Sequence, residues 1–78
     1  MKLYEKDNSI ILEEIENFDA KAIFTCGQAF RWYEESDGSF TTVHLGRVLN
    51  VLNEKDRVIF KGTNLKEFDE IWMDYFDL

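Results

Sequence analysis

The chain has 78 residues, is 45% apolar and 15% aromatic, and carries a net charge of −7. That length holds one domain, residues 1–78, with a modest core, and the aromatic content excludes a disordered segment. The charge argues against a self-sufficient nucleic-acid-binding module, which would show a basic patch, but not against a part of a larger DNA-binding protein whose other part carries the basic surface.

In chain order, Leu3 to Glu5 reads as a short strand, ended by the polar break Lys6-Asp7-Asn8. Ser9 to Ile15, with Ile10, Ile11, Leu12 and Ile15, reads as a second strand. Phe18 to Phe24 is ambiguous: Asn17 or Asp19 can cap a short helix through Ala20, Lys21, Ala22 and Ile23 that ends at Thr25. Phe30 to Glu34 is a strand, and Asp37-Gly38 is a hairpin signal leading into its partner, Ser39 to Leu45. Gly46 breaks that strand. Arg47 to Leu52 follows as another, and the polar stretch Asn53 to Asp56 turns the chain into Arg57 to Lys61, with Val58 and Phe60 on one face.

The last element is the clearest. Glu67 lies three residues after Asn64, a capping-box spacing. At 100° per residue, Leu65, Phe68, Ile71, Trp72, Tyr75 and Phe76 fall in an arc of roughly 140°, opposite Glu67, Glu70, Asp74 and Asp77. An amphipathic helix is expected here, its apolar face on the sheet. The predicted class is α+β, a twisted antiparallel sheet packed by helices on one face.

The segment with the most chemical content is Cys26-Gly27-Gln28-Ala29-Phe30-Arg31-Trp32. Gly27 follows the apolar Ala22-Ile23-Phe24 and precedes a strand, so it reads either as a helix C-terminal glycine with positive φ or as a site of close backbone approach; both can hold at once. Alternation puts Phe30 and Trp32 on one face and Arg31 on the other. The aromatics suit base stacking or, more plainly, a core strand in which Arg31 ties down carbonyls or a carboxylate. Cys26 is the only cysteine, so no intramolecular disulfide forms, and no His or Lys adjoins it to make a reactive thiol. With no signal segment at the start and no apolar run of membrane length, a reduced cytoplasmic setting is expected. His44 has no partner at ligand spacing, so no metal or cofactor is expected and His44 reads as an exposed strand residue. Trp72 reads as core. No two carboxylates sit in an apolar context that would suit a general acid.

The run Gly27-Gln28-Ala29-Phe30-Arg31-Trp32 resembles the signature of the N-terminal domain of 8-oxoguanine DNA glycosylases, and the closing Tyr75-Phe76-Asp77-Leu78 and the order of elements are similar too. The resemblance implies a sheet like half of the TATA-binding protein, packed against a helical domain with a helix-hairpin-helix. It implies that the Gly27 carbonyl reads the extruded base, with Gln28, Phe30, Arg31 and Trp32 as supporting residues. It further implies that catalytic residues, a nucleophilic lysine and an assisting aspartate, belong to the helical domain, and that the partner is double-stranded DNA containing 8-oxoguanine. No catalytic residue is assigned in this chain. It looks like an excised N-terminal domain of a glycosylase and AP lyase, inactive alone, with an apolar docking patch that favours weak self-association. The competing reading, favoured by the acidic charge, is a free-standing α+β interaction module with no DNA role.

Overall fold

A computed structural model of the protein describes residues 2–15, 18–25 and 31–76. Among the described residues six strands, β1 (Lys2–Lys6), β2 (Ser9–Glu13), β3 (Arg31–Glu34), β4 (Phe40–His44), β5 (Arg47–Asn53) and β6 (Arg57–Lys61), form one sheet in the order β1-β2-β6-β5-β4-β3, every neighbouring pair antiparallel. The meander β3-β4-β5-β6 is built from hairpins, and the β1–β2 hairpin adds to its β6 edge by pairing Ile10 with Phe60 and Leu12 with Val58. The helix α1 (Ala20–Thr25) lies between β2 and β3 and touches β4 and β5.

Turn chemistry sets the register. Asp7 and Asn8 both have positive φ (50° and 60°), and Lys6 pairs with Ser9 around them. Such two-residue turns match the twist of the flanking strands, and Asp and Asn tolerate the left-handed conformation at low cost. Leu45 (φ 52°) and Gly46 (φ 74°) make the same kind of turn between His44 and Arg47. Leu45 is a γ-branched residue in a left-handed position, so β4 ends one residue earlier than its apolar pattern suggests. Asp37-Gly38 serves a longer loop than a two-residue turn: the Gly38 amide donates to the Glu35 carbonyl at 3.0 Å, and Gly38 (φ 87°) brings the chain back into β4. Likewise β2 stops at Glu13, because Glu14 turns out at φ 57°, while Ile15 still packs on the core.

Alternation divides the sheet's two faces. Ile10, Leu12, Phe40, Leu49, Val51, Val58 and Phe60 are buried beneath α1 and the C-terminal helix, with Thr42 among them. The other face carries Tyr4, Ile11, Tyr33, Val43, Val48, Leu52 and Ile59 between Lys2, Lys6, Arg31, Arg57 and Lys61; of these Tyr33 and Val48 are well exposed.

The C-terminal helix is continuous but not regular. Leu65–Glu67 is α-helical, Phe68–Trp72 is π-helical and Met73–Tyr75 is α-helical again. The Met73 amide bonds the Phe68 carbonyl five residues back. The buried residues Phe68, Trp72 and Phe76 recur every four positions; in a regular helix that spacing drifts by about 40° per step, and the wide turn takes up part of the drift. Leu65, expected on the apolar face, is 46% exposed. It sits in the first turn, before this stripe begins. The capping box is only half formed: Asn64 Oδ1 accepts from the Glu67 amide at 2.8 Å, but the Glu67 carboxylate turns to Arg47, 3.5 Å away. The next amide, that of Leu65, is capped from outside the helix, donating to Glu5 Oε1 at 2.8 Å.

Candidate base-recognition segment and its supports

The segment 26–30 connects the end of α1 to the first residue of β3. Of the residues assigned to recognition, Gly27, Gln28 and Phe30 lie outside the described residues, as does Cys26; Arg31 and Trp32 are described. What the structure defines is how the two ends of this segment are held.

On the α1 side, Asp19 caps the helix as its sequence position suggests: its Oδ1 accepts from the Ala22 amide at 3.2 Å. A second cap comes from across the sheet, where Asn53 Oδ1 accepts from the Ala20 amide at 2.8 Å. Helix amides without internal partners need such acceptors, and a six-residue helix depends on them and on packing. Phe24 supplies the packing. It is fully buried, its ring stacked on Phe40 with centroids 5.3 Å apart and edge-on to Phe76 at 5.9 Å. Thr25, the last residue of α1, turns its hydroxyl back onto the Lys21 carbonyl at 2.6 Å.

On the β3 side, Trp32 is half-buried against Phe24 (6.3 Å) and Phe40 (5.7 Å). The structure therefore gives Trp32 the core role, closing an aromatic trio that draws the two ends of the segment together. Arg31 points to the opposite, open face and is exposed. Its side chain ties down no carboxylate among the described residues. Its backbone carbonyl, however, accepts from the buried Thr42 hydroxyl at 2.8 Å, and Thr42 Oγ1 also lies 2.7 Å from the Tyr75 hydroxyl. A threonine hydroxyl has one hydrogen. Since a carbonyl can only accept, that hydrogen goes to Arg31, and Tyr75 must be the donor to Thr42. Burial pushes the Tyr75 phenol above its ordinary pKa, which keeps that donor protonated.

His44 is half-buried rather than exposed. Its ring lies 4.6 Å from that of Tyr75 and 6.0 Å from that of Trp72. Sequence reading missed this because the contact joins β4 to a helix about thirty residues on. Among the described residues no three His, Cys, Asp or Glu are grouped so as to hold a metal, and no helix is long and apolar enough to cross a membrane. A cleft of ≈ 510 Å³ lined by Glu13, Glu14, Ile15, Lys55, Asp56 and Arg57 opens at the other end of the sheet, away from Arg31. Its lining is charged and mostly exposed.

The architecture is thus that of an α+β domain in which residues 26–30 join a helix to the outermost described strand of the sheet. Residues 10–78 match the model of the 8-oxoguanine DNA glycosylase N-terminal domain, and the chain belongs to that family. Three solved structures are similar. MBOgg1 in complex with a low-affinity DNA ligand shares 47% identity at a TM-score of 0.91, over 97% of this chain and 26% of that one. The Clostridium acetobutylicum 8-oxoguanine glycosylase/lyase in its apo form shares 37% at 0.91, over 97% and 27%. The same enzyme with double-stranded DNA containing cytosine opposite 8-oxoguanine shares 35% at 0.92, over 99% and 27%. The chain therefore spans about a quarter of the length of these proteins. No curated protein matches it.

Proposed function

We propose that this chain is the base-reading domain of an 8-oxoguanine DNA glycosylase and AP lyase, acting on double-stranded DNA during base excision repair in a cytoplasmic setting. The observation that supports this most is the family match over residues 10–78, which includes the run Gly27-Gln28-Ala29-Phe30-Arg31-Trp32. Residues 1–78 act as one domain, and the nucleophilic lysine and its aspartate belong to a helical domain that packs beside it. All six lysines of this chain are exposed, whereas an amine nucleophile at neutral pH needs desolvation or a neighbouring cation to lose its proton.

The chemistry assigned to Gly27 is discrimination. Oxidation at C8 gives guanine a hydrogen on N7, where the normal base has a lone pair. A backbone carbonyl held at that position accepts from N7–H. Facing unmodified guanine, the same oxygen meets another acceptor, and both are left desolvated and unpaired, at a cost of about 1–3 kcal/mol. Glycine is needed because a Cβ would stand between the backbone and the flipped base. Gln28 and Phe30 complete the segment, and Arg31 and Trp32 hold its β3 end.

Gly27→Ala, in a protein that carries this domain at the length of the solved glycosylases, tests the assignment. Single-turnover excision of 8-oxoguanine is expected to fall by at least tenfold, with the thermal midpoint shifted by only a few degrees. Unchanged excision would remove Gly27 from the pocket. We assign the docking surface for the helical domain to the residues flanking Gly27, and the chain alone is expected to self-associate weakly through it. Sedimentation that stays strictly monomeric to high concentration would contradict that surface.

A further inference from the structure

We propose that Thr42 and Tyr75 are positioning residues for base discrimination: their two hydroxyls form a relay that holds the Arg31 carbonyl, and with it the β3 end of the segment that carries Gly27. The inference rests on the reading of Gly27 given above and extends it to residues outside the signature run.

The relay has a direction. Tyr75 Oη donates to Thr42 Oγ1 at 2.7 Å, and Thr42 Oγ1 donates to the Arg31 carbonyl at 2.8 Å. Thr42 is fully buried, so no water can replace its hydroxyl. Three residues separate Gly27 from Arg31, a stretch of at most about 14 Å between the two α-carbons over four peptide units. Arg31 is thus the first described residue after Gly27 in the chain, and the relay fixes its carbonyl. Among the described residues β3 is an edge strand, paired with β4 alone, so the described sheet constrains its first residue from one side. The hydroxyl relay adds a constraint from the layer below.

The position of Tyr75 gives the relay a second anchor. Its ring packs against Trp72 at 5.2 Å, Phe76 at 5.0 Å and His44 at 4.6 Å. The C-terminal helix is in turn held by Phe68 on Phe60 at 4.8 Å and by its Asn64 cap. The wide π turn ends at Trp72, three residues before Tyr75, so it sets the phase at which the phenol meets β4. Hydrophobic packing alone would be served by phenylalanine at 75 and valine at 42. The pair of hydroxyls is what distinguishes this site from the surrounding core, and it ends on the Arg31 carbonyl, the backbone that follows the recognition segment.

Thr42→Val is nearly isosteric and removes the donor to Arg31, while Thr42→Ser keeps it. Tyr75→Phe removes the first donor only. The measurement, in a protein carrying this domain at the length of the solved glycosylases, is the ratio of single-turnover 8-oxoguanine excision to strand cleavage at a preformed abasic site, since abasic DNA presents no base to read. For Thr42→Val this ratio is expected to fall about five- to tenfold, for Tyr75→Phe about two- to threefold, and Thr42→Ser is expected to restore it. Equal losses of excision and abasic cleavage in Thr42→Val would overturn the proposal by showing a merely structural role, as would an unchanged ratio. Gly27→Ala is run alongside. If it lowers the ratio while Thr42→Val does not, only the relay is refuted; if neither moves it, the base-reading role of Gly27 falls first.

Discussion

At the scale of single residues, backbone conformation decides more here than side-chain chemistry. Gly62 links β6 to the C-terminal helix at φ +94°, its amide donating to the Asn8 carbonyl at 3.0 Å. A Cβ at this position would lie 3.2 Å from the Val48 carbonyl oxygen. Gly62→Ala therefore combines left-handed strain with a close polar contact and is expected to cost about 1–3 kcal/mol. In a domain of this size that lowers the thermal midpoint by roughly 5–20 °C, which a thermal melt will read directly. Gly62 carried no signal beyond its identity in the sequence, because positive φ depends on where the next element leaves the sheet. The Leu45 turn was hidden for the same reason: nothing in a leucine announces φ 52°. By contrast, Asp19 as a cap and Trp32 as a core aromatic were legible, since capping is a local bond and alternation along a strand assigns the face.

At the scale of elements, the strands and the terminal helix followed from periodicity, whereas the ends of elements followed from turns that periodicity does not describe. The β3–β4 loop shows the difference. Asp37-Gly38 correctly marked a hairpin, but the Asp37 side chain does the work that a tighter turn would leave to the backbone. Its Oδ1 accepts from the Ser39 amide at 2.9 Å and the Ser39 hydroxyl at 2.6 Å. These donors, the hydroxyl first, hold the Asp37 carboxyl below the usual carboxylate range, and Lys61 adds to the effect. A carboxylate with a depressed folded pKa stabilises the fold above its unfolded value, near 4, and loses that contribution as pH falls through the folded value. Asp37→Ala is thus expected to lower the melting temperature at pH 6–7. The gap from the parent chain should narrow progressively below about pH 4. A gap that stays constant down to pH 2 would mean that loop packing, not charge, carries the effect. The π turn of the C-terminal helix was equally beyond sequence reading: a spacing of four between Phe68, Trp72 and Phe76 is compatible with a regular helix, and only the rigid sheet beneath requires the extra width.

At the scale of the molecule, the candidate site was readable as a run of residue types and unreadable as a geometry. The supports of that run come from Thr42, Tyr75, Phe24 and Phe40, which adjoin it only after the sheet has formed. Folding also reorganises the charge. Lys2, Lys6, Arg31, Arg57 and Lys61 share the open face of a chain whose net charge is −7. That collection is not an unopposed basic surface. Arg57 is paired with Glu54 at 2.6 Å and Lys2 lies 4.0 Å from Glu14, while Glu13 accepts from Tyr4 on the same face. Phosphates approaching the sheet would meet carboxylates interleaved with cations, and beyond a Debye length of about 8 Å at physiological salt only the nearest charges act. The 78-residue chain alone is therefore expected to bind an 8-oxoguanine duplex only weakly, with a dissociation constant above about 10 μM at physiological salt. Borohydride should trap no covalent adduct, since every lysine is exposed and none is held in a desolvated pocket. A fluorescence titration at two salt concentrations, paired with the trapping reaction, checks both. Submicromolar binding with a steep salt dependence would make the open sheet face a DNA surface in its own right, and a trapped adduct would place the nucleophile within these 78 residues.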